Sequence, residues 1–274
     1  EKNVQKYLNF FPSAHISYEF KNSRTVQLSY SRRISRPHFW DLIPFYGYSD
    51  PRSFRSGNPE LRPEYTDSYE IGHIKYWKKG SMTTSFYYRH RTGVEEDINV
   101  VDSTGYTRSF PVNMATQNAY GLEVTGSYRF NQDWDMNVDL NFYRAITDGS
   151  YKNRELHSDT YTMRGRISSK AKLPNNWEAQ MTFNYKAPRK TTQGRRLSSY
   201  NLNFGISKKI MNEKGKLTLQ GRDVFNTRVR RSITNTEDYY EKSKFQWQSR
   251  QIRLTFTYKL KGNDRSSKEE DYRK

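Results

Sequence analysis

The sequence predicts an all-β chain whose strands pair antiparallel in one large sheet, and three observations lead to this prediction. Apolar and polar side chains alternate with a period of two over many segments, as in strands with one apolar face. The connections alternate between short polar turns and longer links, which indicates a succession of hairpins. Large aromatic residues mark the ends of the alternating segments.

The composition indicates an ordered chain that uses its apolar residues sparingly. Hydrophobic residues make up 33% of the sequence and the mean hydropathy is −1.08, yet aromatic residues make up 15%. Disordered chains are poor in aromatic residues, so we expect a folded protein. No segment approaches the ~20 apolar residues of a membrane helix. Cysteine is absent, which excludes disulfides and Cys-based zinc sites.

The clearest strands are Trp134–Phe142 and Trp177–Tyr185. In each, alternate positions are apolar or aromatic, and the positions between them are Asp, Asn, Glu, Gln or Thr. Successive side chains of a strand point to opposite faces, so each segment has one apolar face and one polar face. The same rule predicts about eleven strands, in chain order Ala14–Phe20, Val26–Tyr30, Tyr69–Trp77, Met82–Tyr88, Leu122–Phe130, Trp134–Phe142, Tyr161–Leu173, Trp177–Tyr185, Tyr200–Ile206, Leu217–Leu219 and Ile252–Leu260.

The connections predict two different ends of the sheet. Short turns are expected at Lys21–Arg24, Lys78–Ser81, Asn131–Asp133, Pro174–Asn176 and Asn212–Lys216. Longer links are expected at Arg36–Thr66, Val100–Thr116, Asp148–Ser158, Thr191–Arg196 and Thr234–Lys242. Short turns at one end and long loops at the other are typical of outer-membrane β-barrels.

The positions of the aromatic residues favour a membrane over a soluble barrel, although both alternate equally well. Trp77, Trp134 and Trp177 flank short turns, and Tyr88 and Phe142 lie near the other end. Tyrosine and tryptophan prefer membrane interfaces, because the ring is apolar and its polar group needs water. From Trp134 to Phe142 a strand tilted by about 40° covers ~20 Å of depth, close to the ~25 Å apolar band of such barrels.

The sequence therefore predicts an antiparallel transmembrane β-barrel. Its outward face should include Met136, Leu140, Met181 and Phe204. Its wet interior should include Asn137, Asp139, Thr182 and Asn203.

Two motifs then resemble those of a known family. Residues 57–72 read GNPELRPEYTDSYEIG, similar to the N-P-x-L-x-P-E…Y-E-x-G signature of TonB-dependent receptor barrels. The matching residues are Asn58, Pro59, Leu61, Pro63, Glu64, Tyr69, Glu70 and Gly72. Residues 217–226 read LTLQGRDVFN and resemble the penultimate-strand stretch of the same family through Asp223, Phe225 and Asn226. The run Leu28–Asp50 is similar to receptor-like barrels of Bacteroidetes-type bacteria.

The resemblance implies that residues 1–260 form the C-terminal part of an outer-membrane β-barrel domain, about half of a 22-strand barrel. Active solute uptake would then need a plug domain and the other barrel half, missing from this chain, with TonB acting through them. Residues Glu1–Phe11 show no signal peptide, so a fragment is expected. The strand Ile252–Leu260 would be read by the barrel assembly machinery. Residues 261–274 form an expected charged, disordered tail.

No catalytic, metal or cofactor site is expected. The five histidines are scattered, and no nucleophile elbow or phosphate loop occurs. Pro59 and Pro63 restrict their neighbours to extended backbone, so the first motif is interpreted as placing a strand. Asp223 and Asn226 are interpreted as loop hydrogen-bonding residues.

Arginines cluster near the long-loop end of the predicted sheet. We interpret them first as anchors on lipopolysaccharide phosphates at the barrel rim, and second as a binding site for an anionic solute. The candidates are Arg32, Arg33, Arg195, Arg196, Arg228, Arg230 and Arg231.

Two other functions remain open at this point. The net charge of +18 also suits a soluble basic β protein that binds nucleic acid or another polyanion. Nucleic acid is not the expected partner, because the basic residues are spread over many strands and no recognition helix is visible. A small complete outer-membrane barrel could instead serve as an adhesin or anchor without transport.

Overall fold

The computed structural model describes residues 8–45, 47–152, 154–237 and 240–260. The expected tail at residues 261–274 lies outside these ranges. The described elements are, in chain order, β1 (Ser13–Phe20), β2 (Arg24–Ser35), α1 (Phe39–Leu42), β3 (Gly47–Asp50), β4 (Ser53–Arg55), β5 (Glu64–Trp77), β6 (Gly80–Val101), β7 (Thr107–Arg129), β8 (Trp134–Tyr151), β9 (Arg154–Leu173), β10 (Trp177–Lys186), β11 (Arg189–Thr191), β12 (Gly194–Arg196), β13 (Ser199–Ile210), β14 (Gly215–Arg222), β15 (Arg230–Asn235), β16 (Tyr240–Phe245) and β17 (Gln251–Tyr258).

The main sheet follows the predicted hairpin order. Its strands are arranged β1-β2-β5-β6-β7-β8-β9-β10-β13-β14-β17, and each neighbouring pair is antiparallel. Each of the eleven predicted strands overlaps one strand of this path. Two short strands lie off the path: β3 pairs with β4, and β4 pairs in parallel with β7. The prediction of an all-β, antiparallel fold is therefore confirmed.

The predicted short turns are also confirmed. Between β9 and β10, Asn175 and Asn176 adopt positive φ angles of 58° and 62°. Two consecutive positive φ angles match the twist of a tight hairpin, and asparagine tolerates this conformation better than most residues. Asn22 and Ser23, with φ angles of 77° and 55°, make the corresponding turn between β1 and β2. The strands therefore reverse direction within a few residues at this end.

Two of the predicted long links are wrong. β6 and β7 continue to Val101 and Thr107, so most of the expected link Val100–Thr116 is strand. β8 and β9 likewise continue to Tyr151 and Arg154. Beyond the apolar region both faces of these hairpins carry polar residues. The period-two signal disappears there although the backbone remains paired.

The remaining long links are also partly ordered. Thr191–Arg196 and Thr234–Lys242 contribute to a second sheet with the order β11-β12-β15-β16. The link Arg36–Thr66 contains α1, β3 and β4. Within the described ranges, no helix has the length and apolar character needed to cross a membrane.

The apolar face of the main sheet is the exposed one. A cross-strand row runs through Ile16, Leu28, Ile71, Phe86, Leu122 and Phe142 on neighbouring strands. Phe86 is 59% exposed, and Met181 is 41% exposed whereas the adjacent Thr182 is only 8% exposed. In a soluble barrel the large apolar side chains would be buried, so this face requires an apolar solvent.

Aromatic rows border the apolar face at both ends. At the long-loop end, Tyr30, Tyr69, Tyr88 and Tyr120 occupy adjacent positions on β2, β5, β6 and β7, with successive ring centroids 4.9, 6.1 and 5.0 Å apart. At the short-turn end, the Trp134 indole donates a hydrogen bond to Ser169 at 2.8 Å. The strand segments between the two rows are the membrane-spanning segments, such as Gly80–Tyr88 of β6.

The polar face is concave and contains one close steric fit. Tyr87 is nearly buried, and its hydroxyl donates to Asn141 Oδ1 at 3.0 Å. The Arg89 guanidinium lies 4.0 Å from the centre of the same ring. Gly121 faces Tyr87 across the β6–β7 pair, and a Cβ there would overlap the ring. The missing side chain of Gly121 therefore allows the tyrosine to lie flat against the sheet.

We expect Gly121→Ala to destabilise the sheet, because Tyr87 would have to leave its position and lose the bond to Asn141. Overpacking of this kind costs about 1–3 kcal/mol. The thermal unfolding midpoint in detergent, followed by heat-modified electrophoretic mobility, measures the effect. Gly126→Ala is the matched control, since its Cβ would meet nothing closer than Ser81 O at 3.7 Å. Equal midpoints for the two variants would contradict this account.

Candidate functional site

A polar cavity of about 850 Å³ occupies the concave side of the sheet at its long-loop end. Eight arginine and lysine side chains line it, against three carboxylates. The basic residues are Arg33, Arg89, Arg91, Arg164, Arg189, Lys190, Arg195 and Arg196, and the acids are Glu95, Glu96 and Asp97. The cavity therefore favours negatively charged groups.

The second sheet lies across this cavity and is held there by polar contacts. The backbone N–H of Asn99 in β6 donates to Gln193 Oε1 at 3.0 Å. The Thr192 hydroxyl donates to Glu96 Oε2 at 3.3 Å. On the other side, the backbone N–H of Lys190 donates to the Thr160 hydroxyl at 2.9 Å. These bonds fix β11 and β12 between β6 and β9.

The first half of the N-P-x-L-x-P-E motif folds onto the β6–β7 hairpin. The Asn58 side chain accepts a bond from the Glu60 N–H at 2.9 Å and donates to Pro111 O at 3.0 Å. Leu61 is only 1% exposed. The Arg62 N–H donates to Asn113 Oδ1 at 2.6 Å, and Asn113 Nδ2 donates back to Arg62 O at 2.8 Å. Paired bonds of this kind fix the loop against β7.

The second half of the motif contacts a bulge in β6. Gly93 has a φ angle of 65° within this irregularity, and its carbonyl accepts a bond from Asn113 Nδ2 at 2.8 Å. The Glu64 carboxylate pairs with Arg91 and accepts the Glu95 N–H at 2.7 Å. Pro63 is buried. We call the contacts of residues 57–64 with β6 and β7 the loop clamp.

The other residues of the first motif lie further along β5, on alternating faces. Tyr69 belongs to the outward tyrosine row. Glu70 lies on the polar face, opposite Tyr87 of β6. Gly72 is buried on that face, where a Cβ would lie 3.3 Å from the Ser85 hydroxyl. These residues place strand β5, and none of the three lines the cavity.

Asp223 is the centre of the second motif and is fully buried. Its carboxylate accepts the Thr227 N–H at 3.0 Å, the Arg228 N–H at 3.2 Å and the Ser249 hydroxyl. Asn226 closes the turn, because its N–H donates to Asp223 O at 2.8 Å and its φ angle is 54°. Three donors satisfy this buried charge. Phe225 is exposed.

The predicted arginine cluster does not form a single patch. Arg32 lies on the outward face, 3.8 Å from Asp67 Oδ1 and 5.7 Å from the Tyr65 ring centre. Arg33, Arg195 and Arg196 instead line the cavity. Contact between Arg32 and lipopolysaccharide stays a prediction.

Of the other three candidates, Arg230 and Arg231 begin β15 of the second sheet, and Arg228 lies just before it. Arg228 offers its backbone N–H to Asp223. Arg230 lies over the Trp247 ring, 5.6 Å from its centre, and Arg231 donates to Ser198 O at 3.1 Å.

Several residues of the cavity were missed by sequence reasoning. Arg89, Arg91, Arg164 and Arg189 are single basic residues within or beside strands, so no cluster marks them in the sequence. The available signal was the alternation itself: Arg89 and Arg91 lie two and four residues after Tyr87 in β6, and Arg164 lies two residues before Arg166 in β9, so their side chains are on the polar face. In the described part of the chain, no group of three or more His, Asp or Glu side chains is arranged to hold a metal ion.

The family model for the "Outer membrane protein beta-barrel family" matches residues 1–258. The chain therefore belongs to this family, and its location is the outer membrane of a Gram-negative cell. The predicted localisation is confirmed, and the soluble alternative is not supported. No match to the sequence is found among curated proteins.

Solved structures of similar fold are larger barrels. The iron transporter FrpB from Neisseria meningitidis (F3-3 variant) aligns with a TM-score of 0.59 at 15% identity, over 91% of this chain and 39% of FrpB. The ferric yersiniabactin uptake receptor FyuA from Yersinia pestis gives 0.58 at 13%, over 90% and 36%. The siderophore receptor PirA from Pseudomonas aeruginosa gives 0.56 at 14%, over 80% and 39%. The chain thus spans less than half of each structure, and the likeness concerns the fold.

The loop clamp contains an acidic group that titrates near neutrality. Glu95 lies seven residues beyond Tyr88, outside the membrane-spanning segment of β6. Burial, followed by the carboxylates of Asp41, Asp97 and Glu64, raises the pKa of Glu95 to about 7 from 4.5. Opening of the loop clamp would separate Glu95 from Glu64 and move its pKa back toward 4.5, so the closed loop binds more protons than the open one between pH 4.5 and about 7. Closure therefore weakens as the pH rises through this window and is constant above it.

We expect the amides of Gly57, Asn58 and Leu61 to exchange hydrogen faster at about pH 8 than at about pH 5, after correction for the intrinsic rates. Glu95→Gln should remove this difference, because the amide cannot ionise. Glu123→Gln, on the polar face of β7 and outside the clamp, should leave the pH dependence intact. A pH dependence that persists in Glu95→Gln would contradict the assignment.

Proposed function

We propose that this chain is the C-terminal barrel segment of a TonB-dependent outer-membrane receptor for active solute uptake. The observation that supports it most is a continuous eleven-stranded sheet with an apolar outer face and a polar concave face, whose two edges have no further strand among the described residues. In this proposal the concave face lines the solute pathway. The receptor motifs at residues 57–72 and 217–226 support the family function.

The two edge strands support a partner barrel half. All residues of β1 and of β17 are exposed, and within the described ranges neither strand has a second neighbour. An unpaired strand edge is not tolerated in hydrocarbon, because its N–H and C=O groups need partners. A further set of strands would satisfy both edges, and about 22 strands would enclose a lumen with room for a plug. The longer chains of the similar structures are consistent with this size.

Partners follow from the same proposal. Outer-membrane lipid and lipopolysaccharide would cover the apolar face and its rims. The plug domain would fill the lumen, TonB would act through it, and the barrel assembly machinery would read β17 with its Ile252, Phe256 and Tyr258. Catalysis has no part in this function, and FrpB, FyuA and PirA are a transporter and two receptors by name.

A small outer-membrane adhesin or anchor is the second candidate, and it differs in its dependence on energy. We expect deletion of the gene to impair growth on one limiting iron, cobalamin, glycan or peptide source. Deletion of tonB in the same cells should cause the same defect, and the double deletion should add nothing to it. Complementation with the intact gene should restore growth, which serves as the control.

Two results would overturn the proposal. The first is normal growth of the gene deletion on every source tested, combined with loss of surface attachment, as an adhesin requires. The second is a growth defect of the gene deletion that the tonB deletion does not reproduce. Sequencing of the intact gene adds an independent test, because a transporter requires an encoded plug domain before Glu1.

A further inference from the structure

Five basic residues converge on one side of the cavity. Arg164 lies in the middle of β9 on its polar face, Lys186 ends β10, Arg189 and Arg196 belong to β11 and β12, and Arg230 begins β15. We call this group the cationic wall. Arg164, Arg189 and Arg196 line the cavity directly. The four charges that act most strongly on the Lys186 ammonium, those of Arg164, Arg228, Arg230 and Arg189, are positive.

The strand register places like charges directly opposite each other. Lys186 is the cross-strand partner of Arg164, and Arg189 is the cross-strand partner of Arg196. Side chains in such positions are separated by about 5 Å at Cβ, and like charges there are destabilising. Two such pairs in succession are therefore expected to be unfavourable unless an anion lies between the charges.

Within the described ranges the wall has no carboxylate in direct contact: Asp97 and Glu96 act on Arg196, but both lie beyond ion-pair distance of it. In the described residues, none of its five members forms an ion pair with a carboxylate within 4.0 Å. The facing acids of β6 are already engaged, since Asp97 pairs with Arg55 at 2.7 Å and Glu96 accepts from Thr192. Burial, together with repulsion from Arg189 and Arg230, lowers the pKa of Arg196. A bound anion would reduce the repulsion among these cations and compensate Arg196 for the water that it loses on burial.

The surroundings of the wall suit an oxyanion. The Arg164 guanidinium lies over the Tyr143 ring, 5.9 Å from its centre, and this contact restricts its position. The hydroxyl groups of Ser158 and Thr160 are buried in the same cavity wall and can donate to an oxygen. Guanidinium groups bind carboxylate and phosphate in bidentate fashion, which a single ammonium cannot do.

We propose that the cationic wall is a binding site for a solute carrying at least two carboxylate or phosphate charges. The inference rests on the proposed function, because it assigns a substrate class to the same lumen. Lys186 follows Tyr185, the last residue of the lipid-facing row on β10, so the wall lies at the long-loop end. A solute entering from outside meets it there. Anchoring to lipopolysaccharide is not favoured for these residues, because they face the concave side.

The test is direct binding to the intact membrane protein purified in detergent, with citrate and inorganic pyrophosphate as probes and glycerol as the neutral control. Isothermal titration calorimetry should show binding of at least one anion, with an affinity that falls as salt rises. Lys186→Gln and Arg189→Gln should each weaken binding about tenfold or more, as expected for loss of a charge-assisted contact. Arg24→Gln, at the short-turn end beside the first turn, is the matched control and should bind like the parent protein.

Three outcomes would overturn the inference. The first is no binding of either anion, and the second is unchanged affinity in both variants that retain the folded, heat-modifiable mobility. The third is a carbodiimide cross-link from Lys186 to a carboxylate of the same polypeptide, which would show that an acidic protein segment occupies the wall. Anion binding without TonB-dependent growth would support the binding site and contradict the proposed transport function. TonB-dependent growth without anion binding would support the transport function and contradict the binding site.

Discussion

Exposure of one face of the main sheet to hydrocarbon is the constraint on which the rest of this structure depends. A strand in the bilayer core must satisfy its backbone groups by pairing, and only its side chains can adapt to the lipid. The result is the row of isoleucine, leucine and phenylalanine across β1 to β8, with tyrosine rings at one border. The polar side chains are then confined to the concave face. The polar cavity at the long-loop end opens on this concave face.

Outside the bilayer this constraint no longer applies, and polar contacts replace it. Above the tyrosine row the loop clamp fixes residues 57–64 to β6 and β7, and Asp223 fixes the turn before β15. Both family motifs therefore serve to position backbone at the ends of strands. Neither motif contributes a residue to the cationic wall. The motifs therefore position the strands, and under the proposed function the scattered residues on the polar face would determine what the lumen binds.

The sequence was sufficient for the membrane-embedded part of the fold. The alternation in Trp134–Phe142 and Trp177–Tyr185 reflects the difference between lipid on one face and water on the other. The number of strands, their order and the face that each turns to the lipid could therefore be predicted. The sequence was insufficient above the membrane, where β6 to β9 continue without lipid on either face and the periodic signal is lost. The cationic wall was only partly visible. Arg195 and Arg196 form a dipeptide, but Arg164, Lys186 and Arg189 come together only through the strand register.

The orientation of the strands is tested most directly by paired single-cysteine variants, since the 274 residues of this chain include no cysteine. Leu140→Cys and Asp139→Cys would each be labelled with bimane in the intact protein and reconstituted into vesicles. Nitroxide-labelled lipid should quench the label at position 140, and aqueous iodide should quench the label at position 139. Quenching of position 139 by the lipid, or protection of position 140 from it, would contradict the account.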